Sequence, residues 1–152
     1  MFVLIVTWIH VIAAMLWVGG MLFFSLVLVP CLKPGLSEAL RADLMSRVGL
    51  RFRVVGWISI VVLLTTGFLR LYQEGQALAA YGAAFQVKLF LVFVMVSLTL
   101  VHDLVLGPKS IALSRSMGRS GPFQKKVRLV ARFNLLIALL IVFAAVSFVR
   151  GF

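Results

Sequence analysis

The chain has 152 residues, of which 63% are hydrophobic and 12% charged, and its mean hydropathy is +1.16. That balance excludes an ordinary soluble globular domain and reads as an integral membrane protein. The net charge of +11 lies between apolar runs rather than on an aromatic-interleaved face, which argues for anchoring at one side of a bilayer and against nucleic-acid binding.

A membrane span needs roughly 20 apolar residues at about 1.5 Å rise each, and the sequence predicts four. The first runs from Phe2 to Val29 and is expected to stop at Pro30 and Pro34. It has no basic residue before it and is far longer than a signal-peptide core of about 7–15 residues, so it is expected to remain as a span. Cys31 is the only cysteine and is read as structural, since neither an internal disulfide nor a Cys-x-x-Cys pair can form.

In the first connection, Leu36, Leu40, Leu44 and Val48 recur every four residues behind Ser37, which is placed to cap. This predicts a short amphipathic helix at the membrane interface. The second span runs from Val54 to about Tyr72, with Arg53 and Arg70 expected to snorkel to opposite interfaces. The third runs from about Gln86 to Leu106 and ends at Gly107-Pro108. A connection with Ser114, Ser116, Gly118, Ser120, Gly121 and Pro122 reads as flexible. The fourth span runs from about Val127 to Val149.

Lys33, Arg41, Arg47, Arg51 and Arg53 belong to the first connection, and Lys109, Arg115, Arg119, Lys125, Lys126, Arg128 and Arg132 to the third. Only Arg70, Lys88 and Arg150 fall on the other side. The positive-inside rule then makes both longer connections cytoplasmic and both termini external, with anionic lipid headgroups as the expected partner. No internal repeat stands out, and residues 1–152 read as a single four-span domain.

The chemistry resides in the spans, where ionisable side chains are costly and usually functional. On the first, the face of His10 continues through Ala13, Ala14, Trp17, Gly20, Met21 and Phe24. Its small residues permit close approach of a helix or a flat ligand, beside an aromatic wall at Trp17. On the third, Lys88, Met95 and His102 recur at intervals of seven, with Thr99 on the flank and Asp103 next in sequence.

If both helices start at the outer surface, His10 lies about 12 Å in and His102 about 24 Å in, which disfavours one haem bridging both. Met95 falls near the depth of His10, and Met21 near that of His102, so thioether and imidazole donors suit Cu(I) or haem iron. Two polar levels are expected: an outer one with His10, Lys88, Arg70 and Glu74, and an inner one with Arg51, Arg53, His102, Asp103, Arg132 and Asn134. The inner arginines suit lipid phosphate, a porphyrin propionate or Asp103.

The stretches WIHVIAAMLWVGGMLFF, RFRVVGWISIVVLLTTGFLRLY, KLFLVFVMVSLTLVHDLVLGP and RFNLLIALLIVF resemble the copper-resistance-D (CopD) superfamily, itself similar to the HemJ-type protoporphyrinogen oxidases. The resemblance implies copper passage or handling at the cytoplasmic membrane. For the HemJ side it implies b-type haem and oxidoreductase activity, with His10 and Trp17 matching the first-helix pattern and Lys88 and His102 corresponding to a third-helix lysine and histidine.

The expectation is an all-α integral membrane four-helix bundle, with external termini and the amphipathic helix between spans one and two. Copper handling through metal ligands His10, His102, Met95 and Met21 is placed ahead of haem binding, to which His10, Trp17, Lys88, His102, Arg53 and Arg132 contribute. A non-catalytic assembly subunit is the third reading, and a homo-oligomer or larger membrane complex is a possible setting.

Overall fold

A computed structural model describes residues 1–32, 37–110 and 122–150. Among these residues every regular element is helical, and four helices are long and apolar enough to cross a membrane, spanning Phe2–Cys31, Ala39–Glu74, Ala83–Ser110 and Lys125–Arg150. The expected all-α, multi-pass architecture is borne out. Lys33, Pro34 and Leu36, and the connection read as flexible up to Gly121, lie outside the described residues.

The first helix, α1, covers Phe2–Phe23 and continues through a π-helical turn, Phe24–Leu28, into a last α turn, Val29–Cys31. Pro30 was expected to end the helix, yet the helix passes through it. Proline removes an N–H donor and crowds the carbonyl four residues back. The π turn relieves that crowding by widening the ladder just ahead: the Val29 N–H bonds the Phe24 carbonyl, five residues back.

The second helix, α2, covers Glu38–Glu74 without interruption. Ser37 caps it as expected, its hydroxyl accepting from the Leu40 N–H at 3.3 Å. The amphipathic stretch is therefore helical, but it is the N-terminal part of the second span rather than a separate element. Neither proline nor a cap motif separates Val48 from Val54, and Gly49 alone costs a helix only about 1 kcal/mol. Gly75 ends α2 with φ of 63°, the left-handed backbone that favours glycine, its N–H bonding the Leu71 carbonyl.

The third helix, α3, covers Ala83–Val101 and runs into a second π turn, His102–Leu106, ahead of Pro108. The fourth, α4, covers Pro122–Arg150 and begins on a proline, whose missing N–H costs nothing at a first helical position.

The chain divides into two compact units, Met1–Tyr81 and Gly82–Phe152. In the first, α1 packs on α2, burying Val6, Ala13 and Trp17 from one face of α1 and Ser59, Ile60 and Thr66 from α2. In the second, α3 packs on α4, burying Phe85, Met95, Asn134, Ile137 and Ala138. The Phe85 and Phe148 rings pack in a tilted pair with centroids 5.3 Å apart. Large apolar side chains such as Trp8, Leu26, Phe93 and Phe143 stay exposed, as suits side chains solvated by lipid.

Candidate intramembrane histidine sites

Two polar crossings tie α1 to α2. The His10 Nδ1 atom lies 2.7 Å from Thr66 Oγ1, and one turn toward the chain start the Arg70 guanidinium donates to Thr7 Oγ1 at 2.7 Å. The pattern is reciprocal, because each helix supplies one threonine and one ionisable residue. Each threonine also donates its own hydrogen to the carbonyl four residues back, Thr66 to Val62 at 2.6 Å and Thr7 to Val3 at 2.8 Å.

A hydroxyl has one hydrogen to give. With that hydrogen on Val62, Thr66 Oγ1 accepts from His10, so the imidazole carries a hydrogen on Nδ1, as the bonding pattern requires.

The ladder continues along α2 toward its C-terminal end. Arg70 pairs with Glu74 at 3.2 Å, and the Tyr81 hydroxyl donates to the other Glu74 oxygen at 2.8 Å. Burial pushes the Tyr81 phenol up from its ordinary range, and the carboxylate receiving its hydrogen bond adds to that. Arg70 and Glu74, expected near His10, thus sit one and two turns beyond it on α2. Arg70 is held there by Thr7 and Glu74.

The small-residue face of α1 is occupied. Ala13 and Trp17 are buried, and Trp17 lies beside Gly56, where an added Cβ would stand 3.8 Å from the indole. A Cβ on Gly20 would collide with the Phe52 ring, which also packs in a tilted pair with Phe24, centroids 5.0 Å apart. This face receives α2. Met21 is half-buried farther along, eleven residues and about 16 Å from His10.

In the second unit, His102 opens the π turn with its Nδ1 3.0 Å from Asp103 Oδ1, the carboxylate being only 13% exposed. On the preceding turn, Thr99 donates to the Met95 carbonyl at 2.8 Å and accepts from Asn134 Nδ2 of α4 at 3.1 Å. Met95 is 3% exposed, the most deeply buried of the candidate ligands. Lys88 is half-buried on the second turn of α3; Arg53 is half-buried on α2, and Arg132 is exposed on α4. Among the described residues, no three His, Cys, Asp or Glu side chains gather as a metal cluster.

Thr66 and Thr7 were missed by the sequence reading. Threonines bonded to their own helix are common in apolar spans; only antiparallel pairing of the first two helices brings these two opposite His10 and Arg70.

A family model described as "Domain of unknown function (DUF4149)" matches residues 12–119. A protein of Aquifex aeolicus (strain VF5), described as an uncharacterized protein, is 33% identical over 150 residues, covering 94% of this chain and 92% of its own. No solved structure matches. The chain belongs to the DUF4149 family. This corrects the expected copper-resistance-D membership, since neither finding connects the chain to that superfamily or to HemJ-type enzymes. The motifs behind that expectation are short runs of Trp, Gly, Leu and Val, which lipid and close helix packing select regardless of ancestry. The roles it implied for His10, Trp17, Lys88 and His102 lose that support.

Proposed function

We propose that this DUF4149 family member is a multi-pass protein of the cytoplasmic membrane that passes a soft metal ion, Cu(I), through imidazole and thioether donors. His10 and His102 supply the imidazoles, and Met21 and Met95 the thioethers. The carrying observation is that each histidine has Nδ1 held by an oxygen, Thr66 Oγ1 at 2.7 Å and Asp103 Oδ1 at 3.0 Å. Metal-ligating histidines are oriented in this way, with the second ring nitrogen turned to the metal.

Donor type and spacing favour copper. Thioether with imidazole selects Cu(I), whereas zinc sites draw on three or four clustered Cys, His or carboxylate ligands. His10 and Met21 are about 16 Å apart along α1, and Met95 and His102 about 10 Å apart along α3. Donors strung along a helix axis suit successive weak sites, which conduction requires, better than storage. The packing of α2 over Gly20 and Trp17 favours a single ion over a planar b-type haem at that face, so haem stands second, with Lys88, Arg53 and Arg132 as propionate partners.

Orientation follows from charge. Arg41, Arg47, Arg51 and Arg53 on α2 and Lys125, Lys126, Arg128 and Arg132 on α4 are placed at the cytoplasmic leaflet, against anionic headgroups. A second copy of the chain or a membrane complex is a compatible setting.

The test is Cu(I) binding by the protein in lipid nanodiscs, held reduced and titrated with Cu(I) in the absence of a competing chelator. Wild type is expected to bind the metal and the His10→Ala/His102→Ala variant to lose that binding; equal binding sinks the proposal. A Soret band in the purified wild type, lost in His10→Ala, would replace copper by haem.

A further inference from the structure

α4 carries its charge differently from α2. On α2, Arg47 pairs with Asp43 at 2.9 Å and Arg70 with Glu74 at 3.2 Å. In residues 82–152 the only carboxylate side chain is that of Asp103, which lies 3.0 Å from His102. Lys125, Lys126, Arg128 and Arg132 are all exposed on α4, and none of them makes a hydrogen bond or ion pair with another described residue. Like charges three and four residues apart on a helix repel, so these cations call for an anion from outside the unit.

Their placement gives the patch a direction. Lys125, Arg128 and Arg132 recur at intervals of three and four, which puts them on one stripe about 10 Å long. The opposite face of α4 meets α3 through the buried Asn134, Ile137 and Ala138. Farther along the outward face stand Leu136, Leu139 and Phe143, all exposed. That face is therefore cationic for two turns and apolar for the next two. A phospholipid has the same order, with phosphate at the interface and acyl chain below it.

We infer that the outward face of α4 is a docking site for one anionic phospholipid. Arg128 and Arg132 offer forked donors to the phosphate, Lys125 adds a point charge, and an acyl chain runs along Leu136, Leu139 and Phe143. A zwitterionic lipid brings its own cation beside the phosphate, which these side chains repel; a net-anionic headgroup leaves the phosphate charge uncompensated. The apolar half of the face lies within the span, where lipid reaches and a soluble acidic protein does not. Only the leaflet supplying the lipid, the cytoplasmic one, rests on the proposed function; the site is independent of the metal.

Native mass spectrometry of the full chain, released from nanodiscs of equal parts phosphatidylglycerol and phosphatidylcholine, reads the bound lipid directly. Wild type is expected to carry one phosphatidylglycerol per chain, favoured over phosphatidylcholine by about tenfold to a hundredfold, as a few cations at an anionic surface supply. Lys125→Gln/Arg128→Gln/Arg132→Gln should lose that preference, and Arg41→Gln/Arg47→Gln/Arg51→Gln on α2 should keep it. By linkage, phosphatidylglycerol should raise the melting temperature of wild type and not of the α4 variant.

No preference in wild type, an α4 variant that keeps it, or an α2 variant that loses it equally would overturn the inference. So would a dimer that the α4 variant dissolves, since the face would then belong to a second copy. If the triple α4 variant does not fold, Arg128→Gln alone decides, a reduced preference supporting the site and an unchanged one overturning it. The His10→Ala/His102→Ala variant should bind the lipid as wild type does, so that loss of copper binding and loss of this site are read separately.

Discussion

His10 and Thr66 are joined across α1 and α2 by a 2.7 Å hydrogen bond whose hydrogen belongs to the imidazole, because the Thr66 hydroxyl already donates to the Val62 carbonyl at 2.6 Å. A residue that shows nothing unusual in sequence thus decides that Nδ1 of the intramembrane histidine carries a hydrogen.

Thr66→Val keeps the shape and removes the acceptor. Cross-helix hydrogen bonds in membranes contribute about 0.6 kcal/mol on average and up to about 1.7, and loss of the group orienting a metal-binding histidine typically costs about 10–100-fold in affinity. The expected result is a small loss of stability in denaturing detergent, with a Cu(I) affinity lower by one to two orders of magnitude. An unchanged affinity would separate Thr66 from the metal chemistry.

The neighbouring glycines Gly19 and Gly20 are predicted to behave oppositely. Alanine at Gly20 drives a methyl into the Phe52 ring, whereas nothing lies within 4 Å of a Cβ at Gly19. Gly20→Ala should cost about 1–3 kcal/mol, the usual range for overpacking, while Gly19→Ala should be neutral or stabilising by up to about 1 kcal/mol. Detergent unfolding of the two variants checks the contrast.

Tyr81 gives a pH dependence with a defined sign. Its phenol is raised by burial and by the Glu74 carboxylate. A raised folded pKa stabilises the fold fully below the unfolded value, near about 10 for tyrosine, and the contribution is lost as pH rises through the folded value. In a Tyr72→Phe background, the tyrosinate absorbance should therefore appear above pH ~10, and Glu74→Gln should bring it down. An unshifted titration in Glu74→Gln would remove the carboxylate from the cause.

Cys31 is exposed at the end of α1 and is the only cysteine, which makes it a topology reporter without engineering. With the basic segments on the cytoplasmic side, a membrane-impermeant maleimide should label Cys31 in inside-out vesicles and spare it in intact cells. The opposite pattern would invert the assigned orientation.

The fold was largely legible because its signals are strong: apolar runs of span length and the Ser37 cap both translate into the helices observed. Boundaries were less legible where local rules compete. Pro30 breaks a helix by rule, yet a π turn absorbs it; Val48 to Val54 looked like a junction but contains nothing that stops a helix. At the candidate sites, His10 and His102 were legible from their cost in a bilayer, and His102 with Asp103 from adjacency. Thr7, Thr66 and the Thr99–Asn134 bond were not, since their meaning depends on which helix faces meet. The family resemblance misled because intramembrane packing reuses the same few residues.

Copper passage is tested most directly by Cu(I) uptake into proteoliposomes containing wild type, His10→Ala or Thr66→Val, with reconstitution checked by protein content and helicity. Wild type is expected to raise uptake well above empty liposomes, His10→Ala to abolish the increase and Thr66→Val to reduce it. Uptake by His10→Ala equal to wild type, or a wild type no faster than empty liposomes, would contradict the assignment of His10 as the metal-handling residue.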